Sequence, residues 1–198
     1  MAKYTSRKRS TRRRSSRRRS SRKGMRRSGG NPFARFRPVV GGPPPPLSYP
    51  SAANPSAQVI LRFPSGRMIM PGPALLVPQD AVKDLPTLSG SPLATPGLKT
   101  VIFWDANGPG GPFLHWLLVN VPGQAIDQLS KGTALVSWAP PAPAKGTGEH
   151  TYSVAVFQQG ASINPGAPQR SGFSVETFAR THKLQPLSAL TSFKVAAP

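Results

Sequence analysis

Short apolar runs separated by proline and glycine dominate the chain from about residue 57 onward. In several runs polar and apolar residues alternate, which is the period-two pattern of a β-strand with one buried face. Trp116–Val119 is instead continuously apolar and predicts a strand that is buried on both faces. The predicted strands are Gln58–Phe63, Gly66–Met70, Leu98–Trp104, Phe113–Val121, Thr133–Trp138 and Thr151–Phe157.

One segment near the C-terminal end has helical periodicity, with four residues at positions i, i+3, i+4 and i+7 that form a single face. These residues are Val175, Phe178, Ala179 and His182. Glu176 pairs at i+4 with Arg180, and Pro186 is expected to mark the end of the helix. The pattern predicts one mainly β domain over residues 57–198, a sandwich or barrel with a late helix.

The first thirty residues have a different composition from the rest of the chain. Residues 1–37 carry 16 of the 26 lysines and arginines and no acid, whereas the whole chain has 6 acids and a net charge of +20. Residues 1–30 hold too few apolar side chains to offset the entropy of ordering, so they are predicted to form a disordered basic arm. Residues 31–56 follow as a Pro/Gly-rich, extended connector.

Guanidinium groups match phosphate oxygens, so the arm is predicted to bind a polyanion, of which nucleic acid is the commonest. Two other roles of the arm remain open: a nuclear localisation signal, or attachment to an acidic protein or lipid surface. A transit peptide is the weaker interpretation. The arginines expected to make these contacts are Arg7, Arg9, Arg12, Arg13, Arg14, Arg17, Arg18, Arg19, Arg22, Arg26 and Arg27.

Several classes of site find no support in the sequence. The chain has no cysteine, no run of 18 apolar residues, and no nucleophile, metal-ligand, P-loop or dinucleotide motif. We therefore expect no disulfide, no transmembrane segment, no metal, no cofactor and no catalytic residue.

Three polar residues lie within or beside the predicted strands. Asp105 ends one strand, His115 lies inside another, and His150 precedes a third. An aspartate at a strand exit is more often a turn residue, and a lone histidine in a strand is more often a hydrogen-bonded core group. Taken alone, the three residues do not establish a site.

Their order and spacing resemble the phosphatidylethanolamine-binding protein family. Asp105-Ala-Asn-Gly-Pro109 and Phe113-Leu-His115, followed by Asn120-Val-Pro-Gly123, are similar to the first signature of that family. The second signature, Pro-x-Lys-Gly-x-Gly-x-His-x-Tyr, is matched by Pro143 to Tyr152. The resemblance covers about residues 57–195 and excludes the arm and the connector.

The resemblance implies a sandwich of a large antiparallel sheet and a small sheet, with a C-terminal helix and an anion-binding pocket at one end of the large sheet. Imidazoles and backbone N–H groups can donate to phosphate oxygens, and a nearby carboxylate would favour a protonated imidazole. The first signature of the family begins Asp-Pro-Asp-x-Pro, and Asn107 stands in place of its second aspartate, which removes one charge from the pocket. Two interpretations therefore stay open: the pocket binds a ligand, or it is a structural remnant. The implied pocket residues are Asp105, Pro109, His115, Pro143, Gly146, His150 and Tyr152.

Domain and arm together lead to three expectations about function. The first is a non-enzymatic structural component of a nucleoprotein or capsid assembly, located in a virion, with capsid proteins and nucleic acid as partners. The second is a regulator in the cytoplasm or nucleus that binds a phospholipid headgroup or another phosphate-bearing ligand. The third is a ribosome-associated protein, for which a mitochondrial location is disfavoured because the arm is a poor transit peptide.

Overall fold

The computed structural model describes residues 58–90, 94–123, 129–188 and 190–198. These ranges belong to a compact unit that spans Pro44–Pro198. The predicted arm at 1–30, the predicted connector at 31–56 and the domain boundary at residue 57 lie outside the described residues. No helix in the described ranges is long and apolar enough to cross a membrane.

The described residues form ten strands and one α-helix, together with short 3₁₀ helices such as Gln79–Val82 and Leu129–Lys131. All six predicted strands are present, and four further strands were not predicted: β3, β4, β9 and β10. The bounds are β1 (Ile60–Arg62), β2 (Met68–Ile69), β3 (Leu75–Leu76), β4 (Thr87–Ser89), β5 (Leu98–Asp105), β6 (Phe113–Pro122), β7 (Thr133–Val136), β8 (Glu149–Gln158), α1 (Val175–Thr181), β9 (Gln185–Pro186) and β10 (Thr191–Ala196).

The strands form two sheets. The large sheet has the order β3-β10-β8-β5-β6-β7, with β9 also paired to β8, and the small sheet has the order β2-β1-β4. All pairs are antiparallel except β3 with β10, which is parallel. The predicted fold class, a mainly β sandwich with a large and a small sheet and a C-terminal helix, is confirmed.

Two hydrophobic clusters cover the two faces of the large sheet, and β6 contributes to both. Trp116 and Leu118 belong to the cluster shared with the small sheet, whereas Leu117 and Val119 belong to the cluster shared with α1. The prediction that Trp116–Val119 is buried on both faces is therefore confirmed. Full burial of one such side chain stabilises the fold by about 1.5–3 kcal/mol.

The helix is shorter than predicted. Ser174 caps its N-terminus, because the Ser174 hydroxyl accepts a hydrogen bond of 3.1 Å from the backbone N–H of Thr177. The helix ends at Thr181, and Lys183 adopts a left-handed conformation with φ of 53° that cannot continue it. The prediction that Pro186 marks the helix end is therefore wrong, since Pro186 lies in β9.

Candidate functional site

Four of the predicted pocket residues meet at one end of the large sheet. Asp105 is the last residue of β5 and lies opposite Tyr152 of β8 and Phe113 of β6. His150 lies two residues before Tyr152 on β8, and His115 lies two residues after Phe113 on β6. Because β5 pairs with both neighbours, the antiparallel register brings the end of one strand to the start of the other two.

A β-bulge sets the orientation of His115. Phe103 pairs with Trp116 and Trp104 pairs with Leu114, so His115 is an extra residue on β6. Its ring contacts Phe103 and Tyr152, with ring centroids 6.0 Å and 5.2 Å away. The bulge therefore places His115 on the same sheet face as its neighbour Trp116, where a regular strand would turn it to the opposite face.

Asp105 has two roles, one for each carboxylate oxygen. Its Oδ2 lies 2.6 Å from Nδ1 of His150, and the two residues are each 3% exposed. Its Oδ1 accepts a hydrogen bond of 2.8 Å from the backbone N–H of Asn107, which closes the turn after β5. Asp105 is thus a turn residue and a member of the buried cluster at the same time.

Thr147 is an exposed residue that contacts this buried cluster, and it was not predicted from the sequence. Its hydroxyl donates to the carbonyl oxygen of Ala144 over 2.6 Å, so toward His150 the Thr147 oxygen is an acceptor. Nε2 of His150 lies 2.8 Å from that oxygen and is therefore the donor. Both ring nitrogens of His150 are held, one by Asp105 and one by Thr147.

His115 differs from His150 in having one ring nitrogen without a protein partner. Nδ1 of His115 donates to the carbonyl oxygen of Ala139 over 2.8 Å, and no described residue is hydrogen-bonded to Nε2. Burial lowers the pKa of His115 and outweighs the opposing effects of the Ala139 hydrogen bond and the Asp105 charge. Asp105 thus favours protonated imidazole, as expected, but burial of the ring outweighs its effect and the net pKa of His115 is lowered.

Tyr152 is the deepest residue of the cluster. Its ring is stacked between Phe103 and Phe193, at centroid distances of 6.2 Å and 5.6 Å. Burial, with a smaller contribution from the charge of Asp105, raises the pKa of the Tyr152 phenol above its ordinary value. The phenol therefore keeps its proton and can act as a hydrogen-bond donor.

The other three predicted pocket residues lie in the adjoining loops. Pro109 is exposed in the loop after β5, and Pro143 is buried in the segment before β8. Gly146 is exposed in the turn of that segment and has a left-handed φ of 81°, as does Gly148. Their role in a pocket stays a prediction.

Arg170 holds the outer edge of β6 beside the bulge. One guanidinium nitrogen, Nη1, donates to the carbonyl oxygens of Leu114 and His115 at 3.0 Å and 3.1 Å. The other, Nη2, donates to the carbonyl oxygen of Ser137 at 2.8 Å and to its hydroxyl at 3.3 Å. In the sequence, Arg170 stands out only as the start of a short segment, Arg170–Phe173, that resembles the C-terminal part of the family.

The third histidine, His182, lies elsewhere. Its ring packs on Phe178 of α1 at 4.5 Å and lines a groove of about 410 Å³ along that helix, together with Ser171 and Thr177. No contact of His182 with the buried cluster is seen among the described residues. His182 therefore serves as a reference histidine outside the candidate site.

Comparison with known proteins supports the assignment of the fold and of the family. Residues 78–192 match the family model described as phosphatidylethanolamine-binding protein. A 26 kDa secreted antigen of Toxocara canis is 33% identical over 154 residues, which are 70% of this chain and 55% of the relative. A rice protein named MOTHER of FT and TFL1 homolog 2 is 34% identical over 97 residues, 45% of this chain and 53% of the relative. The chain thus spans about half the length of these curated relatives.

Solved structures show the same fold at low sequence identity. A carboxypeptidase Y inhibitor, solved in complex with its cognate proteinase, has a TM-score of 0.60 and 16% identity over 73% of this chain and 85% of its own. The phosphatidylethanolamine-binding protein of Plasmodium vivax has a TM-score of 0.58 and 13% identity over 77% of this chain and 92% of its own.

These relatives contradict the first expectation about function. They are a secreted antigen and a plant homologue, and the family model matches residues 78–192, outside the basic arm on which the capsid interpretation depended. The predicted role as a capsid or nucleoprotein component and the predicted location in a virion are therefore wrong. The alternative, a ligand-binding regulator, agrees better with them, and the chain belongs to the phosphatidylethanolamine-binding protein family.

Proposed function

We propose that the chain is a non-catalytic regulator that binds a phosphate-bearing ligand, such as a phospholipid headgroup or a phosphorylated partner. The observation that carries the proposal is the buried cluster of Asp105, His115, His150 and Tyr152 at one end of the large sheet. The name of the matched family model points to the ethanolamine phospholipid headgroup as the first ligand to test.

The cluster offers complementary groups for a phosphate. Tyr152 keeps its phenolic proton, and Nε2 of His115 has no protein partner among the described residues and gains a donor when the ring is protonated. The exposed turn with Lys145 and Gly146 leads into β8 and presents a cation and backbone N–H groups. In a site shielded from water, hydrogen bonds to an anion are stronger than at the surface.

The contacts of Thr147 support a binding role over catalysis. A hydroxyl nucleophile in a triad passes its proton to the histidine, which is oriented by the carboxylate. Here the Thr147 proton is directed to the Ala144 carbonyl, and His150 donates to the Thr147 oxygen. Asp105, His150 and Thr147 are therefore arranged like a catalytic triad. Their hydrogen bonds run in the opposite direction, from His150 to Thr147, and hold the turn in place.

The affinity for a phosphodiester is expected to rise as the pH falls toward the lowered pKa of His115. Unliganded His115 is neutral near pH 7 because burial lowers its pKa below the ordinary value of 6.5, and a bound anion favours the protonated ring. Binding then takes up one proton, so the affinity gains up to about tenfold per pH unit. Calorimetric titration with glycerophosphoethanolamine, whose own charge is constant over this range, measures the effect.

The matched variants are His115→Gln and His182→Gln. The first removes the titrating ring from the cluster and should abolish the pH dependence, whereas the second changes a histidine outside it. An affinity that does not vary with pH in the unmodified chain, or a pH dependence that persists in His115→Gln, contradicts the proposed role of His115. No binding of any phospho-ligand contradicts the proposed function itself.

We also propose that residues 1–30 bind a polyanion, which is favoured by the basic composition of residues 1–37. If roughly eight charges meet phosphates, log affinity for duplex nucleic acid falls with log salt at a slope of about −7. Replacing Arg12, Arg13 and Arg14 with glutamine should reduce the steepness by about 3, since each lost phosphate contact removes ~0.9. Fluorescence anisotropy of a labelled duplex over a salt series measures the slope.

A charge-matched control replaces three exposed bases of the β domain, Arg67, Arg180 and Lys183, with glutamine. This variant has the same net charge as the arm variant and should retain the steep slope. Equal slopes for the two variants would show that net charge, rather than the arm, determines binding.

A further inference from the structure

Arg170 adds guanidinium hydrogen bonds to the backbone of β6 at the point where this strand carries His115. The β6–β7 ladder ends at the pair of Leu117 with Val136, and beyond it the backbone N–H of Ala139 donates to the carbonyl oxygen of His115 over 2.9 Å. The guanidinium of Arg170 donates a second hydrogen bond to the His115 carbonyl and one to the Leu114 carbonyl, and the carbonyl oxygen of Arg170 accepts from the backbone N–H of Leu114 over 2.8 Å. The guanidinium is therefore fixed against the backbone of the His115 bulge.

No carboxylate among the described residues forms an ion pair with Arg170. The ion pairs of the described residues are His150 with Asp105, Arg180 with Glu176, and Lys194 with Glu149. Carbonyl and hydroxyl oxygens satisfy the guanidinium's donors but carry no net charge. Arg170 thus leaves a partly buried, uncompensated positive charge beside the cluster.

We propose that Arg170, which is fixed on the backbone of the His115 bulge, is the source of the positive charge that selects an anionic ligand at this site. The inference rests on the proposed function, because it names a residue that acts on the ligand through His115 and through its field. Arg170 touches the backbone of His115 and is not itself assigned to ligand contact.

Burial and three neighbouring charged or titratable groups determine how readily the His115 ring is protonated. Asp105 from β5 favours the protonated ring, whereas Arg170 and His150 disfavour it, and burial disfavours it most. Tyr152 packs against the ring and stays neutral. Since Asp105 is already paired with His150, the partly buried positive charge that remains beside His115 for an incoming phosphate is that of Arg170, whereas Lys145 of the preceding turn is exposed to solvent.

The test compares Arg170→Gln with Arg170→Lys in the full chain. Both variants lose the guanidinium group that donates to the carbonyls of Leu114, His115 and Ser137, but only the glutamine variant loses the positive charge. Arg180→Gln is the matched control, because it removes an exposed arginine charge whose partner is Glu176 on α1. Two properties are measured: the affinity for glycerophosphoethanolamine by calorimetry, and the titration of the His115 ring by NMR without ligand.

Arg170→Gln should weaken ligand binding about tenfold, as expected for the loss of one partly screened charge interaction, and should move the His115 midpoint to higher pH. Arg170→Lys should bind within about threefold of the unmodified chain, and Arg180→Gln should be unchanged. An unchanged His115 midpoint in Arg170→Gln overturns the proposal, as does equal weakening by lysine and glutamine.

Two results separate this inference from the proposed function. If the unmodified chain binds no phospho-ligand, the NMR titration still tests the influence of Arg170 on His115. If Arg170→Gln does not fold, Arg170→Lys decides alone: affinity within about threefold supports the charge, and a loss of about tenfold or more overturns it.

Discussion

Replacing Gly123 with alanine is expected to lower the free energy of unfolding by about 3 kcal/mol or more. A Cβ at this position would lie 1.9 Å from the carbonyl oxygen of Thr95 and 2.9 Å from that of Gly97. Both oxygens belong to the backbone, and the N–H of Gly123 already donates to Gly97 over 2.7 Å. Relief of the clash would separate two chain segments that are tied together by a hydrogen bond. Urea unfolding followed by circular dichroism measures the loss.

The matched control is Gly160→Ala. Gly160 is exposed and lies outside the left-handed region, and an added Cβ would meet no heavy atom within 4 Å. Its substitution should therefore change stability by less than about 0.5 kcal/mol. Similar unfolding midpoints for the two variants would show that the backbone near Gly123 yields to the extra methyl group.

The strongest fold predictions came from strands with many apolar residues, and the missed strands show what that pattern omits. In β10 (Thr191–Ala196) buried and less buried residues alternate strictly up to Val195, but Thr191, Ser192 and Lys194 make the run look polar. Strand β3 has two exposed leucines, and only its pairing with β10 makes it a strand. Such a strand is defined by a distant partner, which local hydrophobicity cannot reveal.

The candidate site, like the fold, was predicted from the sequence only in part. Asp105, His115, His150 and Tyr152 followed from signature residues with fixed spacing, and the structure brings them together. The bulge at His115 and the clamp by Arg170 depend on strand register and on a contact across 55 residues. No local pattern encodes either feature.

The error about function has a related cause. The charge of residues 1–37 favours a polyanion partner, but many kinds of protein carry such a segment. The charge alone therefore does not show that the protein is part of a capsid or another nucleoprotein assembly. The family model matches residues 78–192, so the functional assignment depends on the β domain and not on the basic segment.

Asp105→Ala is expected to lower the free energy of unfolding by about 3 kcal/mol, because two hydrogen-bond donors lose the carboxylate that accepts from them. His150 would lose the partner of Nδ1 at 2.6 Å, and the backbone N–H of Asn107 would lose its acceptor at 2.8 Å. Asp105→Asn should cost less, about 1–2 kcal/mol, since the amide oxygen can still accept from Asn107. Its amide nitrogen can donate to Nδ1 of a neutral His150, which keeps its Nε2–H bond to Thr147.

A double-mutant cycle with His150→Gln isolates the pair. Each single substitution leaves one buried polar group unmatched, so the double variant Asp105→Ala/His150→Gln should lose less stability than the sum of the two, with a coupling of about 1–3 kcal/mol. A coupling below about 0.5 kcal/mol would mean that water or rearranged loops satisfy each partner alone. In that case the Asp105–His150 contact would not stabilise the β8 end of the sheet, and the cluster would be free to rearrange around a ligand. Strong coupling would instead mean that the site is preorganised, with His115 as the histidine that has a ring nitrogen available to the ligand.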